Sequence, residues 1–100
     1  GATAEQGIRA LDVLDRITAA LTSAQDRKGE NLRVLRQGLG YCWSVLVAAF
    51  PPSGKVRMEN WFANPDPDVR WVMKENLKKA RLTKMDSGWV THWQAQLRQT

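Results

Sequence analysis

Asn64-Pro65-Asp66-Pro67-Asp68-Val69-Arg70-Trp71-Val72-Met73-Lys74-Glu75-Asn76-Leu77-Lys78-Lys79-Ala80-Arg81-Leu82 reads as a tight turn running into a strongly specified helix. Asp66 suits the N-cap, where a carboxylate can accept from the free amides of the first turn. Pro67 then falls at the first helical position, where its missing N–H costs nothing. Asp68 sets a negative charge against the positive end of the helix dipole. Val69, Val72, Met73, Leu77 and Ala80 recur at i, i+3, i+4, i+8 and i+11, one apolar stripe. Lys78, Lys79, Arg81 and Lys84 crowd the other end, where cations are favoured. The spacing predicts a helix over 67–82 that packs one face against its neighbours.

Outward from this helix the same period recurs. Ile8, Leu11, Leu14, Ile17 and Leu21 mark an amphipathic helix over 4–23, with Asp12, Asp15 and Arg16 on its other side. A polar linker, Gln25-Asp26-Arg27-Lys28-Gly29, leads to a long helix over 30–50. Its inward stripe is Leu32, Leu35, Leu39, Cys42 or Trp43, and Leu46. Gly38 and Gly40 weaken it by up to about 1 kcal/mol each. Either they admit a close neighbour, a helix or the rings of Tyr41 and Trp43, or the helix kinks there. Pro51-Pro52-Ser53-Gly54 ends it. A short helix over 55–63, carrying Val56, Met58 or Glu59, and Trp61-Phe62, precedes the organising one. After a polar break over 83–88, Trp89, Val90, Trp93 and Leu97 mark a last helix over 89–98. No segment alternates with a period of two, so the chain is expected to be all-α, with about five helices.

Leu35-Arg36, Leu39, Trp43 and Leu46 align with Val69-Arg70, Met73, Leu77 and Ala80 at an offset of 34 residues. Helices one and two would form one hairpin, three and four a second, and the last would begin a third or cap the stack. An irregular five-helix bundle would use the same contacts. Asn-Pro-Asp-Pro-Asp-Val-Arg at 64–70, preceded by Trp61-Phe62, resembles the turn and second-helix start of a HEAT repeat, a motif covering about a fifth of the chain. The resemblance implies that Asn64 and Arg70 link adjacent repeats, with Val69, Met73 and Leu77 inward. Asn64 stands where the family more often has Asp, which weakens any ladder of charges. With Leu35-Arg36 and Tyr41-Cys42-Trp43-Ser44, the chain resembles the C-terminal part of a bacterial HEAT-repeat protein. That implies a right-handed, armadillo-like α-solenoid of stacked hairpins over residues 1–100.

One hundred residues suffice for one modest core, and 43% hydrophobic with 25% charged residues is an ordinary globular composition. The chain does not start with Met, which reads as a piece of a longer protein, with Gly1-Ala2 foreign to it and no helix stop at Arg98-Gln99-Thr100. A single cysteine, Cys42, excludes an internal disulfide and any cysteine-rich zinc site. The most apolar run, 45–50, falls far short of the ~18 residues or more that a membrane span requires. No signal peptide pattern is present, so a cytoplasmic location and no membrane partner are expected. The net charge of +5 and pI near 9.9 permit an acidic partner without demanding one.

Catalytic signatures are weak. Cys42 sits in an apolar helix and reads as a buried small hydrophobe; the single histidine, His92, has no acidic neighbour in sequence. A metal site needs several ligands, and no His/Cys cluster exists. Asp12/Asp15 lie on a polar helix side, Asp66/Asp68 are explained by capping, and Pro52-Ser53-Gly54-Lys55 lacks the glycine spacing of a phosphate loop. No enzyme and no cofactor are expected. The constellation above background is cationic: Arg70, Lys74, Lys78 and Arg81 step by four, four and three, with Lys79, Lys84 and Trp71 beside them. Such a stripe could track phosphates with an exposed tryptophan stacking on a base. It could equally be a solvated face, with Glu75 pairing to Lys78 or Lys79. Five tryptophans would mostly fill gaps between short helices, one or two marking a partner site. The expected function is a non-catalytic repeat scaffold that binds another protein through Arg70, Trp71, Lys74, Lys78 and Arg81. A nucleic-acid module on the same face is the runner-up, and an accessory domain of an enzyme the third reading. Self-association through an uncapped end is also allowed.

Overall fold

The computed structural model describes residues 2–98, so Gly1 and the Gln99-Thr100 end lie outside the described residues. Among these there are six helices and no strand: α1 (Ala2–Thr22), α2 (Glu30–Ala49), α3 (Pro51–Phe62), α4 (Pro67–Leu77), α5 (Ala80–Met85) and α6 (Ser87–Arg98). The chain is all-α, as the absence of two-residue alternation requires. Helix α2 packs against α1, α3, α4 and α5, and α6 closes against α4 and α5. The core is the set of inward stripes: Leu11, Leu14 and Leu21 of α1, Leu39, Trp43 and Val47 of α2, Met58 and Phe62 of α3, and Val69, Met73 and Leu77 of α4. Leu82, Val90 and Leu97 complete it from α5 and α6.

Three elements differ from the sequence expectation. Pro51 does not merely end α2; it opens α3, four residues before the expected start, because a proline is well placed in a first helical turn. Phe50 alone makes the corner, serving as the C-cap of α2 and the N-cap of α3. So tight a corner brings α3 close to α2 at Gly54, where an added Cβ would lie 2.7 Å from Val47 Cα. Glycine there is a packing requirement. The helix expected over 67–82 stops at Leu77, with Lys78 as its C-cap and Lys79 extended before α5. The reason is phase. Leu82 follows Leu77 by five residues, off the 3.6-residue stripe, and the break turns it inward to full burial while Ala80 is left exposed. Third, Ile8 and Val56 stand 44% and 59% exposed, outside the core. Gly7 takes the inward place beside Ile8, against the Phe50 ring.

Helix α2 runs unbroken through Gly38 and Gly40. Gly40 is buried and admits the Trp71 ring, whose nearest atom would be 3.1 Å from an added Cβ, whereas Gly38 faces open space.

The organising turn forms as expected and does more than cap. Asp66 accepts from the amides of Asp68 and Val69 at 2.9 and 3.2 Å. Arg27, from the linker between α1 and α2, pairs with both Asp66 and Asp68 and also donates to the Thr22 and Ala24 carbonyls. Arg36 of α2 reaches Asp68 as well. The two acids therefore bind the end of α1 and the body of α2 to the start of α4. Arg57 of α3 holds Asp12 and Asp15 of α1 in the same way, and Asp15 also accepts from Trp61 Nε1. Asp86 accepts from the Trp89 amide at the start of α6 and pairs with Lys55 of α3.

These pairings set the acid stability. The Asp66 carboxyl is held below the usual carboxylate range, chiefly by the Arg27 hydrogen bond, with burial opposing and the Val69 and Asp68 amides assisting. Lys55 first, then the Trp89 amide, do the same for Asp86. A carboxylate depressed in the folded state contributes stability that is fully present above its unfolded pKa and is lost as pH falls through the folded one. Melting temperature is thus expected to fall steeply below about pH 4, the unfolded range of Asp. Asp66→Asn keeps the cap but not the charge, and is expected to lower Tm at pH 6 and flatten that acid limb. Parallel limbs in thermal melts of the two proteins would remove Asp66 from the explanation.

Candidate functional site

The basic stripe that the sequence draws along one helix is divided between two neighbouring helices and solvent. Arg70 is half-buried and donates to the Leu97 carbonyl near the end of α6, where a cation is favoured. Trp71 turns the other way, packing on Gly40 of α2 beneath the Arg36 guanidinium, 4.7 Å from the ring centroid. Lys74 is exposed, and Lys78 is exposed and paired with Glu75. Arg81 lies beyond the break, on α5. Its guanidinium sits 4.6 Å from the Tyr41 ring centroid and donates to Ser44 Oγ at 2.8 Å and to Tyr41 Oη at 3.3 Å. The break at Lys78-Lys79, which the unbroken lysine-rich sequence does not signal, turns a stripe into two separated groups. Only Lys74 and Lys78 remain together, along a shallow groove of about 250 Å³ between α4 and α6 with Arg98 at its edge.

Asn64 accepts from the Asp66 amide within its own turn, so the link from the first hairpin to the 64–70 turn is carried by Arg27 and Arg36 rather than by Asn64 and Arg70. His92 is exposed on α6 with its ring edge-on to Trp93. Among the described residues no three His, Cys, Asp or Glu side chains gather where a metal ion could be held. No helix among them is long and apolar enough to cross a membrane. Of the five tryptophans, Trp43 is fully buried and the other four are half-buried and packed on the core.

The surface that stands out lies elsewhere. Cys42, expected to be buried, is exposed, because Trp43 takes the inward position and Cys42 lies one step around the helix. It opens into a groove of about 470 Å³ between α1 and α2, lined by Ala10, Val13, Leu14, Tyr41, Cys42, Val45 and Leu46. That volume is within the ~300–1,000 Å³ range of ligand clefts. Val13, Tyr41 and Val45 expose 47%, 51% and 38% of their surface, and Val34 adds 59% further along α2.

Residues 37–50 of α2 and its corner carry no charged side chain over 14 positions. One inward stripe uses about 100° of a helix, and the rest of a surface helix is ordinarily polar. Here the outward side is apolar too. That uncharged run is the signal by which the sequence could have disclosed the groove, together with Val13, which lies off the α1 stripe.

The groove is apolar in its walls and cationic at its edges. Arg9 and Arg16 stand four residues before and three after Val13, the spacing that places side chains together on one helix side, and both are exposed. Arg81 covers Tyr41 at the opposite wall. Among the described residues none of these three arginines pairs with a carboxylate. Of the acids of α1, Asp12 and Asp15 turn toward α3 and are held there by Arg57, while Glu5 is exposed one turn before Arg9.

Compared with protein-family models, curated proteins and solved structures, the chain matches none, and the HEAT-repeat resemblance rests on its sequence motifs alone.

Proposed function

We propose that the chain is a non-catalytic helical module that binds another protein, and that the α1–α2 groove is the surface it uses. One observation carries this reading: the middle of the central helix presents exposed Tyr41, Cys42 and Val45 beside exposed Val13, with no charge between them. Contiguous exposed apolar surface rimmed by charge is the mark of an interaction site on a soluble domain. Aromatic residues held rigidly at such a site are the usual anchors of binding energy. Tyr41 is so held, by Arg81 stacked on its ring. The HEAT-like stack of hairpins is compatible with this role, since such stacks work as binding surfaces. The nucleic-acid reading receives less support, because Arg70 is engaged with α6, Trp71 packs on Gly40, and Arg81 lies on a separate helix from Lys74.

Site-specific photo-cross-linking in the native host tests the proposal. A cross-linking side chain at Val13 or Val45 is expected to give discrete protein adducts, while the same group at exposed Asn60 or Thr91 gives none. Equal labelling from all four positions, or none from the groove, would overturn it.

A further inference from the structure

We infer that the occupant of the α1–α2 groove is an amphipathic helix of a partner protein, with apolar anchors on one face and carboxylates flanking them. This rests on the reading of the groove as the binding surface and adds the chemistry of what binds. The form of the occupant follows from its walls. Both are helices, α1 and α2, whose backbone groups are bonded within the helices themselves and whose side chains at the groove are apolar. They offer an incoming chain no free backbone edge with which to pair. An extended segment would bury its own N–H and C=O groups unmatched, at a cost comparable to losing each hydrogen bond. A helix satisfies its backbone internally and can bring side chains at i, i+3, i+4 and i+7 to Val13, Tyr41 and Val45.

The charge follows from the rim. Arg9 and Arg16 flank Val13 along α1 and Arg81 covers Tyr41 of α2, none of them paired with a carboxylate among the described residues. An acidic partner would supply those carboxylates in a partly desolvated setting, where charge complementarity sets both the encounter rate and the choice of partner. A second copy of this chain is disfavoured by the same feature. A two-fold interface sets the same patch of surface against itself, and would bring the arginines of both protomers together around the axis. Phosphates would find cations at the rim but no charged group in the lining of the groove.

The test uses three fluorescent peptides of about 20 residues, long enough to hold appreciable helix. One is amphipathic with glutamates flanking a leucine stripe. The second has lysines at those glutamate positions. The third is a scramble of the first that destroys the stripe. Binding is read by anisotropy for the wild-type chain, for Val45→Glu and for Arg9→Glu/Arg16→Glu; all three residues are solvent-exposed, and circular dichroism checks that the variants fold. The acidic peptide is expected to bind wild type at least tenfold more tightly than either other peptide. Each variant is expected to lose at least tenfold for it, and the arginine reversal to gain affinity for the lysine peptide. Binding of all three peptides within twofold overturns the inference. So does concentration-dependent dimerisation in sedimentation that Val45→Glu abolishes, since the occupant is then a second copy. Groove positions that cross-link to a host protein while the acidic peptide fails to bind would reject the acidic helix and leave the groove reading intact. Absence of both would reject the two together.

Discussion

Trp43→Ala is expected to unfold much of the protein at 37 °C. Trp43 is fully buried at the centre of α2, and its indole Nε1 donates to Thr18 Oγ1 of α1 at 2.9 Å, itself fully buried. Truncating an aromatic ring in such a place costs about 3–5 kcal/mol, the transfer free energy plus that of the cavity left behind. Small domains have only about 5–15 kcal/mol in all. In a domain of this size each kcal/mol shifts Tm by roughly 4–8 °C, so a fall of more than about 12 °C is expected in thermal melts. Thr18→Val separates the two contributions. It keeps the packing and strands the indole N–H, for about 1–3 kcal/mol. Val45→Glu, two residues along the same helix but on the exposed side, is expected to stay within about 0.5 kcal/mol of wild type. If Trp43→Ala melts within about 4 °C of wild type, the position of α2 at the centre of the fold is wrong.

The second large effect is at Asn76, a buried polar residue in the apolar stripe of α4. Its side-chain oxygen accepts from the Ser44 amide at 2.8 Å, and its amide donates to the carbonyls of Leu39 at 2.9 Å and Val72 at 2.7 Å. Two of those partners are backbone groups of α2, so Asn76 stitches α4 to α2 through hydrogen bonds that no apolar residue can replace. Among the described residues no buried side-chain polar atom is left without a partner, and this network is a main reason. Asn76→Ala removes these three buried side-chain hydrogen bonds, each worth about 0.5–1.5 kcal/mol net. A loss of about 3 kcal/mol in chemical denaturation is expected. Asn76→Leu refills the volume and is expected to recover less than half of that. Full recovery by leucine would show that packing rather than hydrogen bonding holds the seam.

The same seam shapes the binding surface. Ser44 Oγ donates to the Tyr41 carbonyl and accepts from Arg81, whose guanidinium in turn lies over the Tyr41 ring. Asn76 holds the Ser44 end of that chain from below. Tyr41 therefore stands rigid at the groove wall through contacts that run from α4 through α2 to α5, which joins the stability of the core to the readiness of the surface.

Much of this was legible in the chain because local chemistry decides it. The Asp66 cap, Pro67 in the first turn and the Val69, Met73, Leu77 stripe form as their spacing dictates. What escaped depends on contacts between elements. Nothing local ends the helix after Leu77; only the need to bury Leu82 in a different phase does so. Once that break is made, Arg81 lies on α5, apart from Arg70 and Lys74 on α4. Cys42 and Trp43 both fit the α2 stripe within one residue, and only the packed structure chooses between them. Ile8 matches the α1 period yet stays outside, because Gly7 and the Phe50 ring occupy the inward place. The groove itself was present in the sequence as an uncharged run too wide for one stripe.

Cys42 gives the most direct measurement of the central claim, because it is the chain's one cysteine and lies in the lining of the groove. Its modification by a thiol reagent can be timed in native buffer and again in denaturant. An open groove requires a native rate within about tenfold of the denatured one. Protection by a factor of a thousand or more, on the order expected where a thiol reacts only through transient unfolding of a stable domain, would mean that Cys42 is buried. It would contradict the groove, and with it the proposed binding surface.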